Sequence, residues 1–250
     1  MEGIKLKSEN GFISGNTSNY LTLGIMGGMG PAATVDFFSE IVARTPASSD
    51  QDHIPIIVLH SPGMPDRQSH DQQQQRIISR NLRIMAEKLE MAGADLIALP
   101  CNTAHVYIEQ AREAVSIPFL HIVDETVSKL LPDAMNIAIL GTTFCLESNL
   151  YQTRIARAAK QSLIPTRLEQ DTLMRAIYKI KHGRDIEGAR DSIIEITNQL
   201  TKRGADTVIA ACTEIPLVVQ QSDFVVPLLS STAILAEASI RVAGLGHIMR

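Results

Sequence analysis

The segment GADLIALPCNTA, residues 93–104, returns in altered form as GADTVIAACTEI, residues 204–215. In each copy a cysteine follows the glycine by eight residues, so Cys101 and Cys212 stand 111 residues apart. Neighbouring segments recur in the same order: LGIMGG (23–28) with IAILGT (137–142), and IPFLHIVDET (117–126) with VPLLSSTAIL (226–235). Their offsets, 114 and 109, differ from 111 by loop-sized amounts. This period is far longer than the ~20 to 50 residue units of solenoids, so it predicts two duplicated domains rather than an array.

Short runs rich in Ile, Leu, Val and Ala (LTLGIMG, IPIIVLH, ADLIALP, IPFLHIV, NIAILG, ADTVIAA and VPLLS) alternate with segments of helical period. Runs that are apolar on both faces and separated by helices read as strands of parallel sheets. The expected class is therefore α/β, and the duplication gives two α/β domains, each a small parallel sheet with flanking helices. The strongest helical patterns cover 71–92, 103–115, 146–160, 185–203 and 232–243, and DQQQQR at 71–76 reads as a solvated helix start. Residues 1–20 read as a mobile extension, 21–125 plus about 230–250 as the first domain, and 126–229 as the second.

A net charge of -4 with no long basic run argues against nucleic acid or an anionic membrane as the main partner. Three cysteines do not make a disulfide framework, which points to a reduced, cytoplasmic setting. The polar first twenty residues contain no apolar run suited to a signal peptide or membrane span.

In open α/β sheets, ligands bind beyond the carboxyl ends of strands. Cys101 and Cys212 fall at such positions, followed by Asn102 and Thr103, and by Thr213 and Glu214, which read as helix-start residues. A helix start favours a thiolate and can hold a carboxylate. For either cysteine alone, inert packing is the default. Two cysteines at matching strand ends of diverged copies, each followed by polar residues, are poorly explained by packing. Facing domains would bring two thiols to one ligand from opposite sides.

Charge must come from elsewhere. PGMPDR at 62–67 follows an expected strand and sets Asp66 and Arg67 on a loop at the same sheet edge, where an arginine can grip a carboxylate through two parallel hydrogen bonds. IYKIKHG at 177–183 brings Lys179 and Lys181 to a helix end, and spacing does not choose between them. GIMGGMGP at 24–31, with Met29, offers backbone that can approach a ligand closely, but lacks both the G-x-G-x-x-G pattern and a P-loop lysine. His105 either supports the Cys101 site or is a satisfied structural histidine; Cys145 lacks the repeated context and reads as packing.

As an ordered set, GIMGGMGP, PDR (65–67), PCNTAH (100–105), IYKIKHG and CTEIP (212–216) resemble the cofactor-independent aspartate/glutamate racemase superfamily, and within it the aspartate racemases. The resemblance implies two pseudo-symmetric α/β domains with parallel sheets and the active site in the cleft between them, an enzyme without pyridoxal phosphate or metal, and commonly a homodimer acting on a small acidic amino acid. It implies that Cys101 and Cys212 are the acid/base pair, and that Arg67 and Lys181 are cationic substrate contacts. Asn102, Thr103 and Thr213 would hold the α-carboxylate, with Met29, Asp66 and Glu214 completing the substrate pocket. PGMPDR departs from the family's more usual NPQIPDR, and Ala211 stands where glycine is common.

The implied reaction is interconversion of L- and D-aspartate by two-base proton transfer. One base on one face would return the proton where it came from; two thiols flanking the α-carbon invert it, provided one arrives as thiolate and the other as thiol. Alternatives within enzymes are a broad-specificity or glutamate-preferring racemase, or a maleate-isomerase-like enzyme. Outside enzymes, two lobes around a cleft could bind an acidic metabolite, a role that gives no reason for two thiols.

Overall fold

A computed structural model describes residues 20–244; the expected N-terminal extension lies outside them apart from Tyr20, as do residues 245–250. The chain forms two four-stranded parallel sheets. The first orders its strands β2 (Ile56–His60), β1 (Leu23–Gly27), β3 (Leu96–Ala98) and β4 (Phe119–Leu120). The second repeats that order with β6 (Gln161–Leu163), β5 (Asn136–Gly141), β7 (Thr207–Ala211) and β8 (Leu228–Ser230). The α/β class read from the sequence is the observed one.

The repeated GAD triplet has one structural job in both copies. Gly93 (φ +94°) and Gly204 (φ +100°) end helices in the left-handed region, where a side chain would be strained. The aspartate two residues later caps the start of the neighbouring central strand. Asp95 Oδ2 accepts from Thr22 N at 2.7 Å, and Asp206 Oδ2 accepts from Met135 N and Asn136 N at 2.8 Å. The strand after each triplet is thereby set beside β1 or β5, with its cysteine at the carboxyl end.

Helices cover both faces. Those of the first half are α1 (Pro31–Arg44), α2 (Gln72–Met91), α3 (Glu109–Glu113) and α4 (Ile122–Ser128). Those of the second are α5 (Thr143–Glu147), α6 (Gln152–Arg157), α7 (Arg167–Lys181), α8 (Ile186–Lys202) and α9 (Ser231–Ala243). The α2 helix turns Ile78, Leu82, Met85, Ala86 and Leu89 inward at helical spacing and leaves its glutamine-rich start to solvent. Asp71 caps that start by accepting from Gln73 N.

One core cluster belongs to both sheets: Leu23, Ile25 and Leu96 of the first share it with Ile137, Ile139 and Ile209 of the second. The last helix, α9, packs against α1 and α4 and touches strands of both sheets. Two further clusters fill the outer layers, between β1, β3 and α2, and between β5, β7, α7 and α8.

Several sequence expectations fail locally. The helix expected over 103–115 is a 3-10 turn, Thr103–Tyr107, followed by the short α3. The one expected over 146–160 is divided between α5 and α6 by Asn149, whose φ of 54° an α-helix does not accept. IPFLHIV is strand only over β4, because His121 caps α4 by accepting from Val123 N. The edge strand β6, QSL, lies outside the strands expected from sequence because it has almost no apolar signal. Among the described residues, no helix is long and apolar enough to cross a membrane.

Candidate active site

The carboxyl ends of the two sheets meet at a narrow cleft with a cavity volume of about 10 Å³. All ten residues expected at the site line it: Met29, Asp66, Arg67, Cys101, Asn102, Thr103, Lys181, Cys212, Thr213 and Glu214. Gln68 and Thr142 line it too and were not anticipated. Thr142 could have been found from the repeat, since IAILGT matches LGIMGG. Gln68 simply follows Arg67 on a loop already suspected.

Cys101 ends the β3 segment and Cys212 the β7 segment; both are free and almost fully buried. The expected helix starts after them are 3-10 turns instead, Thr103–Tyr107 and Ile215–Leu217. A turn this short sums few peptide dipoles, so the helix field proposed to favour a thiolate is largely missing. Local side chains therefore dominate the electrostatics.

Around Cys212 the dominant group is Glu214. The Cys212 thiol donates to Glu214 Oε2 at 3.0 Å, and the Thr213 hydroxyl donates to the same oxygen at 3.3 Å. Burial and the adjacent carboxylate push the Cys212 thiol well above its ordinary pKa, against a smaller opposing pull from Lys181. Lys181 Nζ lies 3.8 Å from Glu214 Oε1. Burial alone would lower the lysine's pKa, but Glu214 and, once ionised, the two cysteine sulfurs outweigh it and the ammonium is held above its ordinary value. Lys179, which spacing could not separate from Lys181, pairs with Asp185 at 2.6 Å on the surface.

The Cys101 side is held by neutral contacts. The Asn102 side chain is committed at both ends: Oδ1 accepts from Tyr151 OH at 2.6 Å, and Nδ2 donates to Ser231 Oγ at 2.9 Å. Ser231 in turn donates to Ala210 O, tying this turn to β7. His105 is a satisfied structural histidine. Its Nε2 accepts from Ile122 N, which leaves Nδ1 to donate to Cys101 O at 2.8 Å. Burial and the neighbouring His121 hold His105 neutral, its pKa lowered to about 3. Cys145 is fully buried in the shared core, and burial followed by the Cys101 charge pushes its thiol up to about 12.

The Asp66–Arg67 loop reaches over the cleft. Arg67 Nη1 donates to Pro65 O at 3.0 Å and Met64 O at 3.4 Å, while Tyr107 OH donates to Arg67 O at 3.1 Å. Gln68 crosses to the other half and donates to Tyr178 OH at 2.9 Å. A second crossing joins Thr103 Oγ1 and Thr142 Oγ1 at 2.8 Å. The glycine-rich loop supplies the remaining wall: Gly28, at φ +100°, leaves no room for a Cβ, which would stand 2.5 Å from the Ser61 carbonyl carbon. At Gly30 a Cβ would come within 3.1 Å of Glu214 Oε1.

Comparison with known proteins agrees over nearly the whole chain. The broad specificity amino-acid racemase RacX of Bacillus subtilis (strain 168) is 32% identical over 225 residues, covering 87% of this chain and 96% of RacX. The structure of Picrophilus torridus aspartate racemase superposes with a TM-score of 0.79 at 31% identity, covering 90% of this chain and 94% of that one. An aspartate racemase homologue from Pyrococcus horikoshii OT3 shares the fold, with a TM-score of 0.74 at 23% identity over 89% and 98% of the two chains. The Asp/Glu/hydantoin racemase family model matches residues 26–239. With the sheet order, the cleft and these likenesses in agreement, the chain belongs to the Asp/Glu/hydantoin racemase family and is a racemase, hence an isomerase.

Proposed function

We propose that the protein interconverts L- and D-aspartate, without a cofactor, by passing the α-proton between Cys101 and Cys212. What carries the proposal is that two buried thiols, one from each sheet, line a single cleft. The α-proton leaves to the sulfur on one face, and the other sulfur delivers its own proton to the opposite face. For the opposite enantiomer the two roles exchange.

An α C–H is far less acidic than a thiol, so charge growing on the substrate carboxylate must meet preorganised donors. The Thr213 hydroxyl is already given to Glu214 and Thr103 and Thr142 hold one another, which leaves one O–H of that pair; the turns after the cysteines supply backbone N–H groups. The Asn102 side chain is already spent on Tyr151 and Ser231, so its contribution is the position of its backbone. Arg67 and Lys181 are the cations available to a dianionic substrate. A general base contributes typically ~10² to 10⁴-fold, so donors and exclusion of water must supply much of the remaining acceleration.

A second reading, broad specificity, is favoured by the Lys181–Glu214 pair. A lysine already 3.8 Å from a buried carboxylate has less charge to offer a second one. The 32% identical RacX is named a broad specificity amino-acid racemase, which fits that reading. Deuterium uptake at the α-carbon in heavy water, across acidic, neutral and basic amino acids with chiral analysis of the products, separates the two. Exchange confined to aspartate supports the first reading, and comparable exchange across the panel supports the second. No exchange with any amino acid would overturn both.

A further inference from the structure

The two thiols have unequal surroundings, and the inequality comes from one residue that two-base transfer does not by itself require. Glu214 is 3% exposed and held at both oxygens. Oε2 takes the Cys212 S–H and the Thr213 hydroxyl, while Oε1 faces Lys181 at 3.8 Å, with Gly30 closing in behind it. Cys101 has no such neighbour: among the described residues no carboxylate hydrogen-bonds its sulfur. The other charged residues on the cleft, Asp66 and Arg67, are adjacent on one loop, and the guanidinium donates to Pro65 O and Met64 O.

We infer that Glu214 decides where the resting proton sits, holding it on Cys212 as the S–H acid and leaving Cys101 to act as the base. A carboxylate that accepts the S–H bond stabilises the thiol, and its charge repels the thiolate that would replace it. Lys181 acts the other way, but its ammonium is shared with Glu214. Glu214 is thus a positioning residue that acts through the Cys212 sulfur. The inference rests on the two-cysteine reading above.

The consequence is a cycle with a preferred start. An enantiomer whose α C–H faces Cys101 gives its proton to that sulfur while Cys212 delivers its own to the opposite face. Cys101 is then the thiol and Cys212 the thiolate, the arrangement Glu214 opposes. Rest returns when Cys212 takes a proton from water and Cys101 gives one up. Since the two enantiomers are equally stable, their kcat/KM values must match, so the asymmetry shows in thiol ionisation rather than in that ratio.

The test is alkylation of the full-length protein by iodoacetamide from about pH 6 to about pH 10, with each cysteine followed by peptide mass spectrometry, in wild type and Glu214→Gln. Cys101 and Cys212 are 6% and 4% exposed, so access alone does not separate them. In wild type, Cys101 should react about tenfold or more faster at neutral pH, the factor that one unit of pKa difference gives. In Glu214→Gln, whose amide keeps the size and can still accept the S–H bond, the pH midpoint of Cys212 should fall while that of Cys101 stays. A merely structural role would slow or speed both without moving one midpoint. Equal or faster reaction at Cys212 in wild type would overturn the inference, as would an unmoved Cys212 midpoint in the variant. The wild-type order stands even if the variant fails to fold. Alkylation needs no turnover, so an absence of α-deuterium exchange would count against the racemase reading separately.

Discussion

Tyr151 OH donates to Asn102 Oδ1 across 2.6 Å, so a residue at the start of α6 fixes the one directly after Cys101. Tyr151 is wholly buried and burial holds its phenol protonated, well above its ordinary pKa. Tyr151→Phe keeps the ring but leaves the Asn102 oxygen without this donor in a dry site. The expected loss is about 1–3 kcal/mol of stability, the usual cost of an orphaned buried acceptor. Urea unfolding of the two proteins measures it, and an unchanged midpoint would remove Tyr151 from the support of the site.

Cys101→Ser and Cys212→Ser should each abolish full racemisation, because a serine hydroxyl is too weakly acidic to hold or return the proton at neutral pH. Chiral chromatography of the product follows this directly. Racemisation at the wild-type rate in either variant is incompatible with a two-thiol mechanism.

Lys181 and Lys179 are two residues apart on α7, yet only Lys181 lines the cleft. Lys181→Gln should lower kcat/KM by at least about tenfold, the order of losing one charge-assisted contact. Lys179→Gln should leave it within twofold, about the scatter of a surface substitution. Equal losses in both would mean that the effect comes from helix stability rather than the site.

Arg67→Ala should damage the use of aspartate more than that of alanine, since a side-chain carboxylate is what the guanidinium would meet. Steady-state kinetics with both substrates decide it. Equal losses would assign Arg67 to loop structure, through its bonds to Pro65 O and Met64 O.

His105 and His121 are buried neutral, their rings 4.7 Å apart, with pKa values lowered to about 3 and about 4, chiefly by burial. Unfolded, each takes a proton near 6.5, the ordinary value for a histidine. Between these limits the unfolded chain binds more protons, so stability falls as pH falls. Their contribution is present above about 6.5 and is progressively lost towards about 4 and 3. Urea midpoints across this range should drop in wild type, and more shallowly in His121→Gln. An unchanged slope in the variant would show that other groups govern the acid limb.

Much of the candidate site's lining was legible because duplication left a local signature. Cys101 and Cys212 sit at equal distances from matched GAD triplets, and the physics of those triplets is short-range: a left-handed glycine and an aspartate capping the next strand. The α/β class followed from apolar runs, since a parallel strand covered on both faces must be apolar throughout. Where a strand lies at an edge, as QSL does in β6, that pressure is absent and the signal disappears.

In the sequence the turns after the cysteines read as helix starts, because capping residues look the same before a 3-10 turn as before an α-helix. What the sequence alone determined was which side chains lie at strand ends, for periodicity and capping act over a few residues. Only the tertiary structure decided which of them meet. Lys181 rather than Lys179 enters the cleft, Glu214 accepts the thiol of Cys212, and Tyr151 claims the side chain of Asn102. Those pairings join positions far apart in the chain or depend on how a turn rotates its side chains, and no local pattern encodes that geometry.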